Sequence, residues 1–282
     1  MTRIDTVIFP VAGMGTRMLP ATKVTPKELL PVYDTPLLQF AIDEALAAGA
    51  RRIVLVSHPK KAAIEAYLAA EPELEDTLAE KGKSDLLRAV RTTRLPEGVD
   101  LKVVMQEEPL GLGHAVLCGG AAALDGPVGV ILPDDLILGR PCLAEMVAAY
   151  DPNTMKSLVA AQDVSRGKVS SYGIFDCDDA SGSGAIPARG IVEKPDPEDA
   201  PSTLAAVGRY ILSPEIFDVL EGIGQGAGGE IQLTDAIAAL GSISAFRFSG
   251  DRYDCGSKDG LVEATLAVQA SRARHHLRVA AE

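Results

Sequence analysis

The chain has 282 residues, 47% of them apolar and 23% charged, which is enough to bury a large core in an ordinary globular protein. A net charge of −12, an aromatic content of 4% and the lack of tryptophan exclude a nucleic-acid surface, which needs a basic face or stacking rings. They leave open a small phosphorylated substrate, because a few local cations can oppose a negative global field.

Thr6–Val11 is a short apolar run that predicts a buried parallel strand, followed by a Gly-rich turn at Ala12-Gly13-Met14-Gly15. Pro36–Gly49 has apolar residues at helical spacing and a closing glycine. Arg52–Ser57 predicts a second strand and Lys60–Ala70 its helix, so the opening follows the β–α–β–α order of a parallel α/β sheet. Residues 71–98 are charge-rich and predict an exposed helical excursion. Leu101–Gln106 predicts a strand, Gly113–Leu124 a helix, Val128–Leu132 a strand ending in Pro133-Asp134-Asp135, and Cys142–Tyr150 a helix.

From Ser157 onward the pattern changes to short strands at Leu158–Ala161, Tyr172–Asp176, Gly190–Glu193 and Ala206–Leu212, with a loop tip at 179–184. Helices are expected at Pro214–Glu221, Gln232–Leu240 and Leu261–Leu277. The expected fold is α/β, with a Rossmann-like, mixed, mostly parallel central sheet flanked by helices. It forms a single domain over 1–282, with an α/β half (1–150), a half of shorter strands (151–260) and a C-terminal helix (261–282).

No apolar stretch approaches the roughly 20 residues of a membrane span, and the first residues lack the apolar core of a signal peptide. Cys118, Cys142, Cys177 and Cys255 are scattered, without a CxxC pair or a Cys/His cluster. A cytoplasmic protein with reduced thiols and no membrane partner is expected.

The first chemical feature is Gly13-Met14-Gly15-Thr16-Arg17, directly after a strand. Glycines let backbone N–H groups approach a polyphosphate closely. Met18 stands where a dinucleotide fingerprint needs its third glycine, and no Gly-Lys-Ser/Thr of a Walker A loop follows. A second cationic stretch, Lys23 to Pro31, is interrupted by prolines and must run as a shaped loop.

Gly13 to Pro20, followed by Pro26-Lys27-Glu28-Leu29-Leu30-Pro31, resembles the signature of the sugar-phosphate nucleotidyltransferases and, more narrowly, of the bacterial UTP–glucose-1-phosphate uridylyltransferases. The resemblance extends through Gln106 with Gly111, Leu132-Pro133-Asp134, Glu193-Lys194-Pro195 and the long run Gly226 to Ile237. It implies that Arg17 and Lys27 grip a triphosphate, with Ala12, Gly13, Gly15, Thr16 and Glu28 completing the nucleotide loop and Gln106 and Gly111 reading the base. It implies Mg2+ on Asp134, with Asp254 as a second carboxylate. Lys194 would take the sugar phosphate, with Glu193, Gly173, Gly208 and Glu230 around the sugar; Glu230 could equally begin the following helix as a favourable N-terminal carboxylate.

His114 is expected to be a helix-start residue, because a phosphate nucleophile needs no protein base. His275 and His276 are expected to be exposed rather than metal ligands. The implied substrates are UTP and glucose 1-phosphate, and the implied assembly is a homodimer or homotetramer. The same chemistry with dTTP, or a silent nucleotide-sugar-binding regulatory subunit, are the alternatives.

Overall fold

The computed structural model describes residues 3–178 and 181–279. In chain order the elements are β1 (Thr6–Pro10), the two-residue strands β2 (Pro31–Val32) and β3 (Thr35–Pro36), α1 (Leu37–Ala47), β4 (Arg52–Ser57), α2 (Ala62–Leu68), α3 (Pro72–Glu80), α4 (Ser84–Arg91), β5 (Asp100–Met105) and α5 (Leu112–Gly120). Next come β6 (Val128–Ile131), β7 (Asp135–Leu138), α6 (Cys142–Ala149), β8 (Ser157–Asp163), β9 (Gly173–Asp176), β10 (Gly184–Ala188), β11 (Gly190–Glu193) and β12 (Leu204–Leu212). The chain closes with α7 (Ile216–Gly222), α8 (Leu233–Leu240), β13 (Ile243–Arg247), β14 (Asp251–Asp254) and α9 (Lys258–Val279).

One mixed sheet runs in the order β10-β13-β8-β12-β6-β1-β4-β5, with β9 joining β12 and β11 joining β9. The pairs β1–β4, β4–β5 and β1–β6 are parallel, while β12 lies antiparallel between β6 and β8. Strand β1 illustrates why these apolar runs become central strands. Val7 and Phe9 enter the core beneath α1, α2 and α6, while Ile8 enters the opposite core with residues of α5, α7 and α8. Helices on both faces bury both sets.

Chain order reverses at β1: β4 and β5 extend to one side, and β6 returns on the other. In open α/β sheets, ligands bind outside the carboxyl ends of strands at such a reversal. The turn after β1 and the Pro-Asp-Asp after β6 are the two segments that leave it.

The sequence did not announce β7 and β14, which form a separate antiparallel ribbon in which Asp254 faces Asp135. Nor did it announce β10 and β13 at the far edge of the main sheet. These strands span only four or five residues, and they either are almost wholly apolar (β7, β10) or mix Ser, Arg and Asp with apolar groups (β13, β14), so they lack a clean alternation. The 71–98 excursion is two helices, α3 and α4, separated at Gly82 (φ 65°) and held by Arg91 and Arg94 on the buried carboxylate of Glu75. Of the loop expected at 179–184, residues 179 and 180 lie outside the described residues, as do the side chains of His275 and His276. Among the described residues, no helix is long and apolar enough to cross a membrane.

Candidate active site

The loop after β1 is built around Lys27. Gly15 takes φ 63°, and a side chain there would meet Lys27 Cβ and Thr22 at 3.2 Å. The turn is closed by Thr22, whose hydroxyl donates to the Gly15 carbonyl at 2.7 Å. The Lys27 side chain therefore passes directly under the two glycines. It ends on Asp134, with Nζ 2.5 Å from Oδ2. Burial pulls the Lys27 ammonium down, but Asp134 and Glu28 outweigh it and hold its pKa above the ordinary lysine value. Burial likewise raises Asp134, yet Lys27 more than offsets this and the carboxyl sits below its ordinary range. Both groups are charged.

Glu28 does not face the cleft. It is fully buried, and Lys61 Nζ donates to its two oxygens at 3.0 and 2.8 Å and to the Val11 carbonyl at 2.6 Å. The pair ties the beginning of the phosphate loop to its end. The expectation that Glu28 touches nucleotide is therefore corrected: the motif placed it rightly in the loop, but its partner lies 33 residues away and inside.

Asp254 reaches Asp134 through the β7–β14 ribbon and the Cys255 N–H, which donates to the Asp134 carbonyl at 2.8 Å. Arg17 Nη1 lies 3.9 Å from Asp254 Oδ2. The two carboxylates converge over Gly256. A Cβ there would lie 2.9 Å from Asp134 Oδ2, 3.1 Å from Asp254 Oδ1 and 2.5 Å from Arg17 Nη2. This cleared space with two convergent carboxylates fits Mg2+, which takes one or two carboxylates and completes its shell with water and substrate phosphates. Among the described residues no group of three or more His, Cys, Asp or Glu forms a closed metal cage. Gly256→Ala is expected to displace the carboxylates and lower kcat by on the order of 10²-fold, since a misplacement of about 1 Å costs that much. Its melting temperature should stay within a few degrees of the parent's, and steady-state kinetics with calorimetry checks both.

From Arg17, Asp134 and Asp254 a cavity of about 470 Å3 continues towards Gly173, Glu193, Lys194 and Gly208. Gly173 pairs with Glu193 across β9 and β11, and a Cβ on Gly173 would press on Thr234 at 2.8 Å. Glu193 accepts from the Thr234 hydroxyl at 2.7 Å and lies 3.1 Å from Lys194 Nζ. If the strand continued, Glu193 and Lys194 would fall on opposite sides. The strand ends instead, and Lys194 adopts φ 46°, a left-handed conformation that costs a non-glycine about 1–2 kcal/mol. Both side chains thereby line one cavity.

Gly208 donates its N–H to Asp135 Oδ2 at 2.7 Å. Asp135 is in turn held by Arg252 Nε, so it braces the floor while Asp134 faces the cleft. Burial works against the Arg252 guanidinium, but Asp135 and the Tyr172 hydroxyl raise its pKa above the ordinary value. Arg252 also lies over the Tyr172 ring, 5.3 Å from its centroid. Lys168, Gln232, Thr234 and Arg252 line the cavity and were not singled out from the sequence. Thr234 and Gln232 were within the quoted Gly226–Ile237 run. Lys168 and Arg252 carried no sequence signal.

Glu230 packs beside Gly111, where a Cβ would meet Glu230 Cβ at 2.7 Å, and Gln232, which lines the cavity, donates its amide to Glu230 Oε2 at 3.3 Å. Ile231 N–H donates to the Leu110 carbonyl, and Gly113 N–H to the Ile231 carbonyl, so this segment is stitched to the start of α5. On that same side Gln106 follows β5, its backbone bonded to Ser57 and its side chain largely buried. Its amide nitrogen donates to the Gly111 carbonyl at 3.1 Å and lies 3.0 Å from His114 Nδ1.

The site thus reads along the carboxyl edge of the sheet: Asp134 after β6, the glycine loop after β1, then β4, then Gln106 after β5. The sequence matches the nucleotidyl transferase family over residues 7–271. The chain belongs to that family. It is 42% identical to the UTP–glucose-1-phosphate uridylyltransferase of Bacillus subtilis (strain 168), an alignment covering 98% of this chain and 96% of the relative. A UTP-bound UDP-glucose pyrophosphorylase from Acinetobacter baumannii superposes with a TM-score of 0.85 at 40% identity, covering 94% of this chain and 93% of that one. A UDP-glucose pyrophosphorylase complexed with UDP-glucose gives 0.84 at 38% identity, covering 95% and 99%.

Proposed function

We propose that this protein transfers UMP from UTP to glucose 1-phosphate, forming UDP-glucose and releasing pyrophosphate. The observation that carries the reading is the continuity of one cavity wall: Arg17, Asp134 and Asp254 at one end, Glu193 and Lys194 at the other. Two polyanions can meet there. From Asp134 to Gln106 is three strand spacings, about 14 Å, which a nucleoside and its phosphates can bridge.

A non-bridging oxygen of the sugar phosphate attacks the α-phosphorus in line. As that P–O bond forms, the bond to the pyrophosphate oxygen breaks, and pyrophosphate leaves with the electron pair. The nucleophile is already ionised near neutral pH, so no general base is needed. Positioning and charge neutralisation remain as the work of the chain. In this reading Lys27 and Arg17 hold the triphosphate and the departing pyrophosphate, Lys194 holds the sugar phosphate, and Glu193 meets sugar hydroxyls. Ala12, Gly13 and Gly15 offer the backbone edge of the nucleotide site. Asp134 and Asp254 would hold Mg2+, which when bound supplies Lewis-acid charge on the phosphate oxygens.

We place the protein in the cytoplasm as a homodimer or homotetramer. The four cysteines are free, and exposed apolar residues recur at Leu74 and Leu86 on the α3–α4 pair and at Val262 and Leu266 on α9.

Purified protein mixed with Mg2+, glucose 1-phosphate and either UTP or dTTP is expected to release pyrophosphate with both partners present, and faster with UTP. Release with neither nucleotide would leave only a nucleotide-sugar-binding role. A preference for dTTP would overturn the uridylyl assignment.

A further inference from the structure

The amide of Gln106 has a fixed polarity, and His114 is the residue that completes it. A carbonyl can only accept, so the group facing Gly111 O at 3.1 Å must be the Gln106 NH2, whichever way the two amide atoms are drawn. Its second hydrogen points to His114 Nδ1 at 3.0 Å, which is the acceptor of a neutral imidazole carrying its proton on Nε2. That Nε2 lies 3.6 Å from Cys118 Sγ, a weak acceptor one helical turn along α5. The amide oxygen has no partner among the described residues and is not among the buried, unsatisfied atoms. Both donors are therefore consumed inward, and only an acceptor is presented outward.

We infer that His114 is a positioning residue that locks the Gln106 amide with its oxygen towards the base, so that the site selects an imide N–H and rejects cytosine. The inference rests on the proposed uridylyl transfer. Uracil and thymine carry an N–H at N3 and satisfy the oxygen; cytosine has a bare lone pair at N3, which would face another lone pair. Without the His114 acceptor only one of the two amide hydrogens stays anchored. The amide can then pivot about its bond to the Gly111 carbonyl, and the freed second N–H can turn towards the base and meet cytosine as a donor. A polar site built for one hydrogen-bonding partner discriminates strongly, because the wrong partner leaves buried groups unpaired.

The test compares kcat/KM for UTP and for CTP, each with glucose 1-phosphate. His114→Leu removes the acceptor and His114→Asn restores one near the Nδ1 position. The leucine variant should raise KM for UTP and for dTTP together, and narrow the UTP:CTP ratio by about 10-fold or more. KM for glucose 1-phosphate should stay at the parent value. The asparagine variant should recover most of the ratio. If leucine prevents folding, His114→Phe keeps a ring in place and gives the same comparison. A leucine or phenylalanine variant that keeps the parent UTP:CTP ratio would overturn the inference. So would an asparagine variant that loses as much as leucine, since that outcome means helix packing alone. If the parent itself turns over no UTP, the proposed function has failed first, and the two failures are told apart by that control.

Discussion

Replacing Lys27 by methionine is expected to lower kcat/KM by roughly 10³-fold, the scale of removing one preorganised charge from a transition state. It should cost only a few degrees of melting temperature, because the Asp134 carboxylate it abandons opens onto the cavity and can be rehydrated. The same substitution should have a second, less obvious result. In the free protein the two cations at this end of the cleft already face carboxylates: Lys27 with Asp134, Arg17 with Asp254. A metal ion arriving alone must take Asp134 from Lys27 and leave that ammonium unpaired. A nucleotide arriving alone must take Lys27 and leave Asp134 unpaired. Arriving together they exchange partners, phosphate for the cations and metal for the carboxylates, and no charge is stranded. Lys27→Met releases Asp134 beforehand, so titration calorimetry should show Mg2+ binding more tightly to the nucleotide-free variant than to the parent. Near-normal turnover in the variant would remove Lys27 from the triphosphate, and unchanged Mg2+ affinity would remove the partner exchange.

What the sequence discloses about this site follows the range of the interactions that build it. Gly13, Gly15, Arg17 and Lys27 lie within one short stretch whose turn is set locally, by the φ of 63° at Gly15 and the Thr22 hydroxyl on its carbonyl, so the motif alone shows that they sit together. Asp134 was legible because an apolar strand ends beside it. Its meeting with Asp254 was suggested only by family resemblance. It depends on a ribbon of two four-residue strands joined across more than a hundred residues, and neither strand has a clean pattern. Glu28 shows the opposite failure, a residue with a conspicuous motif whose side chain turns inward because Lys61 waits there. Glu230 and Thr234 belong to one recognisable run, yet the backbone stitching at Ile231 directs Glu230 to Gly111 and Thr234 to Glu193. Position in a motif fixed the neighbourhood, and long-range hydrogen bonds chose which side chain enters it.

Arg209→Met should be the most damaging single change to the fold. Arg209 sits in β12 with 1% of its surface exposed, between the core and the end of β6. Nε and Nη2 donate to the two oxygens of Glu44 at 2.8 to 3.1 Å. Nη1 donates to the carbonyls of Leu132 and Gly208, both at 3.2 Å. Methionine fills most of the volume but leaves the buried Glu44 carboxylate uncompensated except for the Leu143 N–H. Breaking such a pair costs about 3–5 kcal/mol. In a protein of this size that corresponds to a fall in melting temperature of roughly 10 °C. Adding Glu44→Leu removes the stranded charge, and since a buried pair roughly balances its own desolvation, the double variant should regain most of the lost stability. It should not regain turnover. Leu132 and Gly208 still lack the guanidinium that ties their carbonyls together, and Leu132 leads directly into Asp134. Calorimetry on both variants, with kcat measured well below their transitions, separates the two roles. A double variant with parental kcat would make Arg209 a purely structural cation, and a single variant within 2 °C of the parent (under about 1 kcal/mol) would contradict the cost assigned to the buried pair.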